Sequence, residues 1–122
     1  MRFLDSNILA YAFYDNDHRE ICQEFIREGG VINALNLVES FNIIHQETGD
    51  ADRACQAIKS FLKSKIQVIP VDANLVFETL KNISPRLRFI DNLHFTTAKL
   101  HSCTEIASFD KDFDGLDIPR VA

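Results

Sequence analysis

The sequence predicts an α/β fold built on a largely parallel sheet. Short apolar or β-branched runs alternate with longer stretches of helical periodicity along the whole chain. Capping residues and glycines fall between them, where helices would start and stop. With 122 residues and no repeat, linker or low-complexity stretch, the chain reads as one domain spanning 1–122.

Met1 to Leu4 is a short extended run, interrupted only by Arg2 and ended by Asp5. The compact apolar segment Ile8 to Phe13 reads as a short helix, broken by Asp15-Asn16-Asp17. A second helix is expected from about His18 to Glu28, with Ile21, Cys22, Phe25 and Ile26 as its inward stripe and Gly29-Gly30 as its stop. Val31-Ile32 is a very short strand. Asn33 or Asn36 then caps a long helix to about Thr48, carrying Leu37, Val38, Phe41, Ile43 and Ile44 and ended by Gly49.

Asp50 or Asp52 opens the next helix, with Cys55, Ile58, Phe61 and Leu62 inward. Ile66 to Val71 is the clearest strand, rich in β-branched residues. Asp72 caps a helix through about Leu80, with Leu75, Val76 and Leu80 as its inward set. After the loop Ser84-Pro85-Arg86, Phe89-Ile90-Asp91 leads into a helix reaching about His101. Thr104 to Ala107 is a short strand, Ser108 to Gly115 a loop or single helical turn, and Ile118 to Val121 a final edge strand, where Pro119 is tolerated.

The hydrophobic fraction of 46%, with ten Phe and no Trp, suits a dry, aromatic-rich core. Cys22, Cys55 and Cys103 are odd in number and lack metal-ligand spacing, so they read as reduced, mostly buried thiols. The opening residues lack the shape of a signal peptide, and no apolar run approaches the roughly 18 residues of a membrane span. A cytoplasmic protein is expected. The net charge of -5 is unlike that of a typical nucleic-acid binder, but a site that holds cations needs carboxylates and inverts the local charge once filled.

Parallel α/β sheets place their chemistry beyond the carboxyl ends of the strands. Asp5 follows the first strand, and Asp110 follows the strand around Ile106. Glu39 lies in the apolar setting Leu37-Val38-Glu39-Ser40-Phe41, and Asp91 opens a helix after Phe89-Ile90. Each has an ordinary explanation: the three aspartates as helix caps, Glu39 as a surface residue. Jointly those explanations weaken, because Glu39 has apolar neighbours and Asp5 ends a strand that should be central, where an acid is costly unless neutralised. Converging carboxylates repel one another. Mg²⁺ or Mn²⁺ relieves that repulsion, and its natural chemistry is phosphodiester hydrolysis.

Four motifs carry a resemblance. Phe3-Leu4-Asp5-Ser6-Asn7-Ile8-Leu9, the apolar-Glu-apolar helix at Glu39 with Asn42 and Ile43 behind it, the helix Phe89 to Ala98 around Asp91, and Ala107-Ser108-Phe109-Asp110-Lys111-Asp112-Phe113 stand in order over nearly the whole chain. The sequence resembles PIN domains, and in its length it looks like the VapC-type toxins among them. The resemblance implies a three-layer α/β/α sandwich with a central, mostly parallel sheet. It also implies a Mg²⁺- or Mn²⁺-dependent endoribonuclease leaving 5′-phosphate and 3′-hydroxyl ends. Asp5, Glu39, Asp91 and Asp110 would hold the metal directly or through water. Asn7 and Ser108 would orient the acids or the water, and Asp112 is a further candidate ligand. A homodimer and a small antitoxin partner are implied by the toxin likeness alone. Asn92, where the family often has Ala, departs from the pattern and is expected to alter metal geometry or substrate fit.

Lys81, Arg86 and Arg88 precede Asp91 and are candidates for RNA phosphate contacts, against the alternative of a solvated loop. Lys59, Lys63 and Lys65 read as a solvated face. No His pair has a telling spacing; His94, three residues after Asp91, reads as structural. Tyr11 and Tyr14 are expected to pack rather than stack on bases. Rival acid-pocket folds fit less well. A haloacid-dehalogenase-like phosphatase needs an Asp where Asn7 stands, and a receiver domain needs paired early acids. The rival from another class is a catalytically silent PIN domain serving as an RNA- or protein-binding module.

Overall fold

The computed structural model describes residues 1–122. Strand β1 (Arg2–Leu4) runs up the centre of the sheet and hands over at Asp5 to helix α1 (Ser6–Tyr11). That helix starts before the apolar run because the Asp5 side chain accepts from the Ser6 amide. Helix α2 (Arg19–Glu28) follows, then β2 (Gly30–Asn33), α3 (Ala34–Thr48) and α4 (Ala51–Ser60). Next come β3 (Ile66–Ile69), α5 (Ala73–Lys81), α6 (Phe89–Leu100), β4 (Glu105–Ala107) and β5 (Arg120–Val121). Pro70, with no N–H to give, ends β3 two residues before the expected limit. Single 3-10 turns occupy Phe61–Lys63 and Lys111–Phe113.

The sheet order is β3-β2-β1-β4-β5, and every neighbouring pair is parallel. The chain steps outward from β1 to β3, then returns to the other side of β1 to lay down β4. The order therefore reverses between β1 and β4, which is where a doubly wound sheet opens a crevice.

Strand alternation sorts the core into two layers. Leu4, Ile32, Ile66 and Ala107 face one side, with Ile8, Leu9, Cys22 and Phe61 from α1, α2 and the first 3-10 turn. Phe3, Val31 and Ile106 face the other, with Ala98, Cys103, Phe113 and Ile118. Both sheet faces are covered, giving the expected α/β/α sandwich. At the amino edge Gly30 is obligatory: a Cβ there would stand 2.4 Å from the Arg2 carbonyl oxygen.

Several residues expected inside lie outside. Ile21, Val38, Leu62 and Leu80 are all exposed. Ile21, Val38 and Leu80 each sit one residue, about 100° of helical turn, away from the true stripe, and Leu62 follows the buried Phe61 in the 3-10 turn. Thr79, four residues after Leu75, takes the buried position beside Leu80 and returns its hydroxyl to the Leu75 carbonyl at 2.8 Å. All three cysteines are free; Cys22 and Cys103 are buried and Cys55 is half-buried. Burial pushes the Cys22 thiol up to about 12, so it stays protonated. No helix is long and apolar enough to cross a membrane.

Candidate active site

Asp5, Glu39, Asp91 and Asp110 arrive from four separate elements and line one open hollow of about 290 Å³ at the carboxyl edge of the sheet. Ser6, Asn7, Asn42, Ile43 and Arg88 complete its wall. Each acid has its own support. Asp5 is 7% exposed, and its Oδ2 accepts from Ser108 Oγ at 2.5 Å while Oδ1 accepts from the Ser6 amide at 2.8 Å. Ser108 Oγ in turn accepts from the Asp110 amide at 3.0 Å, tying the end of β4 to the end of β1. Asp110 caps the second 3-10 turn through the Asp112 amide at 2.9 Å. The capping explanation therefore holds for Asp5 and Asp110 without removing either from the hollow.

Asp91 is not a cap; Arg88 occupies that position, and Asp91 stands in the first turn of α6. Its Oδ2 accepts from Arg88 Nε at 3.3 Å, while the Arg88 side chain stays 78% exposed at the mouth. Glu39 Oε1 meets two donors, Ser6 Oγ at 2.7 Å and His94 Nε2 at 2.7 Å.

The electrostatics divide the acids. Burial pushes the Asp5 carboxyl above the usual range, against the Ser108 hydrogen bond, and the Glu39 charge adds to the rise. Burial does the same to Asp91, with Arg88 pulling partly back and Asp110 pushing further. Glu39 goes the other way. Burial works to raise it, but hydrogen bonds from His94 and Ser6 and the charge of Arg88 hold it below the usual range.

The donor set suits a hard divalent cation: carboxylate oxygens, no sulfur, and one further oxygen waiting. Asn7 Oδ1 is buried on this wall and has no hydrogen-bond partner. A buried carbonyl oxygen left alone is costly, and a cation or its water shell satisfies it. No three acidic or imidazole groups are already drawn together at ligand spacing. A cation taken up here would have to draw these side chains closer or bind them through its own water.

The PIN domain family model matches residues 2–119. The chain belongs to the PIN-domain family. The same fold is seen in the crystal structure of VapC20 from Mycobacterium tuberculosis, described as a sarcin-ricin loop cleaving toxin. The match has a TM-score of 0.82 at 16% identity and covers 99% of this chain and 98% of that one. A comparison with curated proteins finds no match.

Of the basic residues singled out in the sequence, only Arg88 reaches the hollow of this PIN domain. Lys81 ends α5 in an exposed pair with Glu78 at 2.8 Å. Arg86 spends its guanidinium on the carbonyls of Asp112 and Asp114, at 2.8 and 2.7 Å. The Asp112 side chain is exposed and does not line the hollow. Asn92 also turns away. Its Oδ1 accepts from the Ser84 amide at 2.8 Å, and its Nδ2 donates to the carbonyls of Ser84, Leu87 and Arg88, each at 3.1 Å. Rather than crowding the acids, it staples the loop that delivers Arg88. Replacing Asn92 with Ala takes the side-chain partner from the Ser84 amide and the buried Leu87 carbonyl, while the Ser84 and Arg88 carbonyls keep the amides of Leu87 and residue 92; it is expected to cost roughly 1–3 kcal/mol in urea unfolding. Asp112→Ala, on the surface, should leave the midpoint unchanged.

Sequence reasoning missed Ser6 and Asn36. The spacing Asn33-x-x-Asn36 was the available signal, since both side chains serve the α3 capping box while Asn36 Nδ2 also donates to Ser6 Oγ at 2.9 Å. Phe109 packs on Tyr11 and His18, with ring centroids at 5.7 and 4.2 Å, and so pins the segment between Ser108 and Asp110.

Proposed function

We propose that this PIN domain is a Mg²⁺- or Mn²⁺-dependent endoribonuclease and the toxin of a toxin–antitoxin pair. The observation that carries the reading is the convergence of four carboxylates, each from a different element, on one hollow that also holds the unpartnered Asn7 Oδ1. Burying that much like charge costs stability unless a cation balances it. Family membership and the likeness to a toxin fold support the same reading.

Asp5, Glu39, Asp91 and Asp110 would hold the cation directly or through water. A bound divalent cation supplies charge neutralisation at the phosphoryl group and a more acidic water. Ser108 and the Ser6 amide fix both oxygens of Asp5, so its free lone pairs are aimed before the cation arrives. Arg88 stands at the mouth, already drawn toward Asp91, and its exposed guanidinium is placed to take a backbone phosphate of the RNA. One such cation gives weak, salt-sensitive RNA binding. The net charge of -5 makes steering by the whole surface unfavourable, so recognition depends on the filled site. A homodimer and a small antitoxin covering the mouth belong to the same proposal.

Single-stranded RNA incubated with the protein and Mn²⁺ or Mg²⁺ should be cut to fragments bearing 5′-phosphates, and EDTA should stop the cutting. Binding of RNA without cleavage under every metal condition would instead support the silent-module alternative.

A further inference from the structure

His94 sits wholly buried on α6, yet it is the one imidazole that touches a site carboxylate. Its protonation pattern is dictated by neighbours that have no freedom. Asn33 Oδ1 accepts from the Leu35 and Asn36 amides, at 3.0 and 3.3 Å, which fixes the orientation of the Asn33 side-chain amide. Its Nδ2 must then point at Thr97 Oγ1, 3.1 Å away, and at His94 Nδ1, 2.9 Å away. An amide N–H can be received only by an unprotonated ring nitrogen, so Nδ1 is the acceptor. The ring proton lies on Nε2, 2.7 Å from Glu39 Oε1. The opposite tautomer would set two N–H groups against each other at Nδ1 and a lone pair against a carboxylate oxygen at Nε2. Asn36 Nδ2 also lies 3.5 Å from Nε2, but one of its two protons goes to Ser6 Oγ at 2.9 Å, and the long contact does not compete with the 2.7 Å bond between Nε2 and Glu39.

The geometry points to His94 as a positioning residue, locked as the Nε2–H tautomer by the β2–α3 cap and holding Glu39 at the angle at which it meets a divalent cation. Its donor and Ser6 Oγ converge on the same oxygen, Oε1. Both donors therefore claim one oxygen and leave Oε2 to the hollow. Hydrogen bonds to a ligand carboxylate fix its direction, and losing one commonly costs 10–100-fold in metal affinity. Because α6 also carries Asp91, three residues before His94, the same contact sets the separation of Glu39 and Asp91. This inference rests on the metal-site reading above.

Two variants separate positioning from mere packing. In His94→Gln the terminal amide nitrogen reaches about where Nε2 lies and still donates to Glu39. In His94→Asn the side-chain oxygen can still accept from Asn33 near the Nδ1 position, but no donor reaches Glu39. Both lose ring packing against Phe3, whose centroid is 5.7 Å away, so both should melt below wild type by similar amounts. Mn²⁺ affinity, measured by calorimetry on the folded proteins, should fall about 10–100-fold in His94→Asn and no more than about threefold in His94→Gln. Nitrogen-15 NMR of the imidazole in the metal-free wild type should show a bare Nδ1 and a protonated Nε2. Equal Mn²⁺ affinity for the two variants, or a proton on Nδ1, overturns the proposal. If wild type takes up no Mn²⁺ at all, the metal-site reading fails and the positioning role falls with it.

Discussion

Asp5→Asn should lower the rate of metal-dependent RNA cleavage by about three orders of magnitude while leaving the fold intact. The size follows from the charge removed: a site cation contributes several kcal/mol of transition-state stabilisation, and each 1.36 kcal/mol is a factor of ten. The fold survives because Asn keeps an oxygen for the Ser6 amide and presents an N–H toward Ser108, whose hydroxyl can accept it. Burial holds the Asp5 carboxyl above the ordinary range, so its ionised form is a burden on the cation-free protein. The variant should therefore melt at or above the wild-type temperature near neutral pH. That advantage should shrink as the pH falls and wild-type Asp5 takes up a proton. A cleavage rate within tenfold of wild type would dismiss Asp5 as a ligand, and a collapse in melting temperature would mean its role is chiefly to cap α1.

Mn²⁺ should raise the thermal midpoint by about 10 °C at a concentration near 100 times its dissociation constant. Binding to the native state alone contributes about 2.7 kcal/mol at that ratio, and a domain of this size gains a few degrees per kcal/mol. The pH dependence has a definite sign. Asp5 and Asp91 have raised folded-state values, so the stability they allow is present at low pH and lost as pH climbs through those values in the cation-free protein. Glu39 is depressed, so its contribution is present at higher pH and lost as pH falls through its folded value. The cation-induced shift should accordingly be large near pH 7.5 and fade toward acid, where protons compete for the same oxygens. Scanning fluorimetry with Mn²⁺ against EDTA measures it; coincident curves at neutral pH would mean that the acids balance their charge without a metal.

Much of this architecture was legible in the sequence because the signals were local. Asp5 and Asp110 each follow a short apolar strand, and the rule for parallel sheets sends such residues to one edge. Glu39 betrayed itself by its apolar neighbours. What stayed hidden depends on which way a side chain turns once its helix is docked. Asn92 and His94 are both polar and both within three residues of Asp91, and periodicity alone assigns neither a direction. The structure turns Asn92 onto the 84–88 loop and His94 onto Asn33 and Glu39. Arg86 and Arg88 look equivalent in sequence, yet one finds two free carbonyls and the other a buried carboxylate. Helix margins failed for a related reason: Val38 and Leu80 are apolar enough to be inward, but one residue of helical rotation carries them into solvent.

The strand that β1 needs at its side is β4, and it is synthesised only after β2 and β3. The bond from Ser108 to Asp5 spans 103 positions of chain. A nascent polypeptide emerging from the ribosome therefore carries Asp5, Glu39 and Asp91 well before Asp110 and the Ser108 clamp can reach them. Long-range pairing of this kind forms late. On the proposed reading, a chain interrupted anywhere before β4 lacks both Asp110 and the Ser108 clamp on Asp5, and so lacks a complete site.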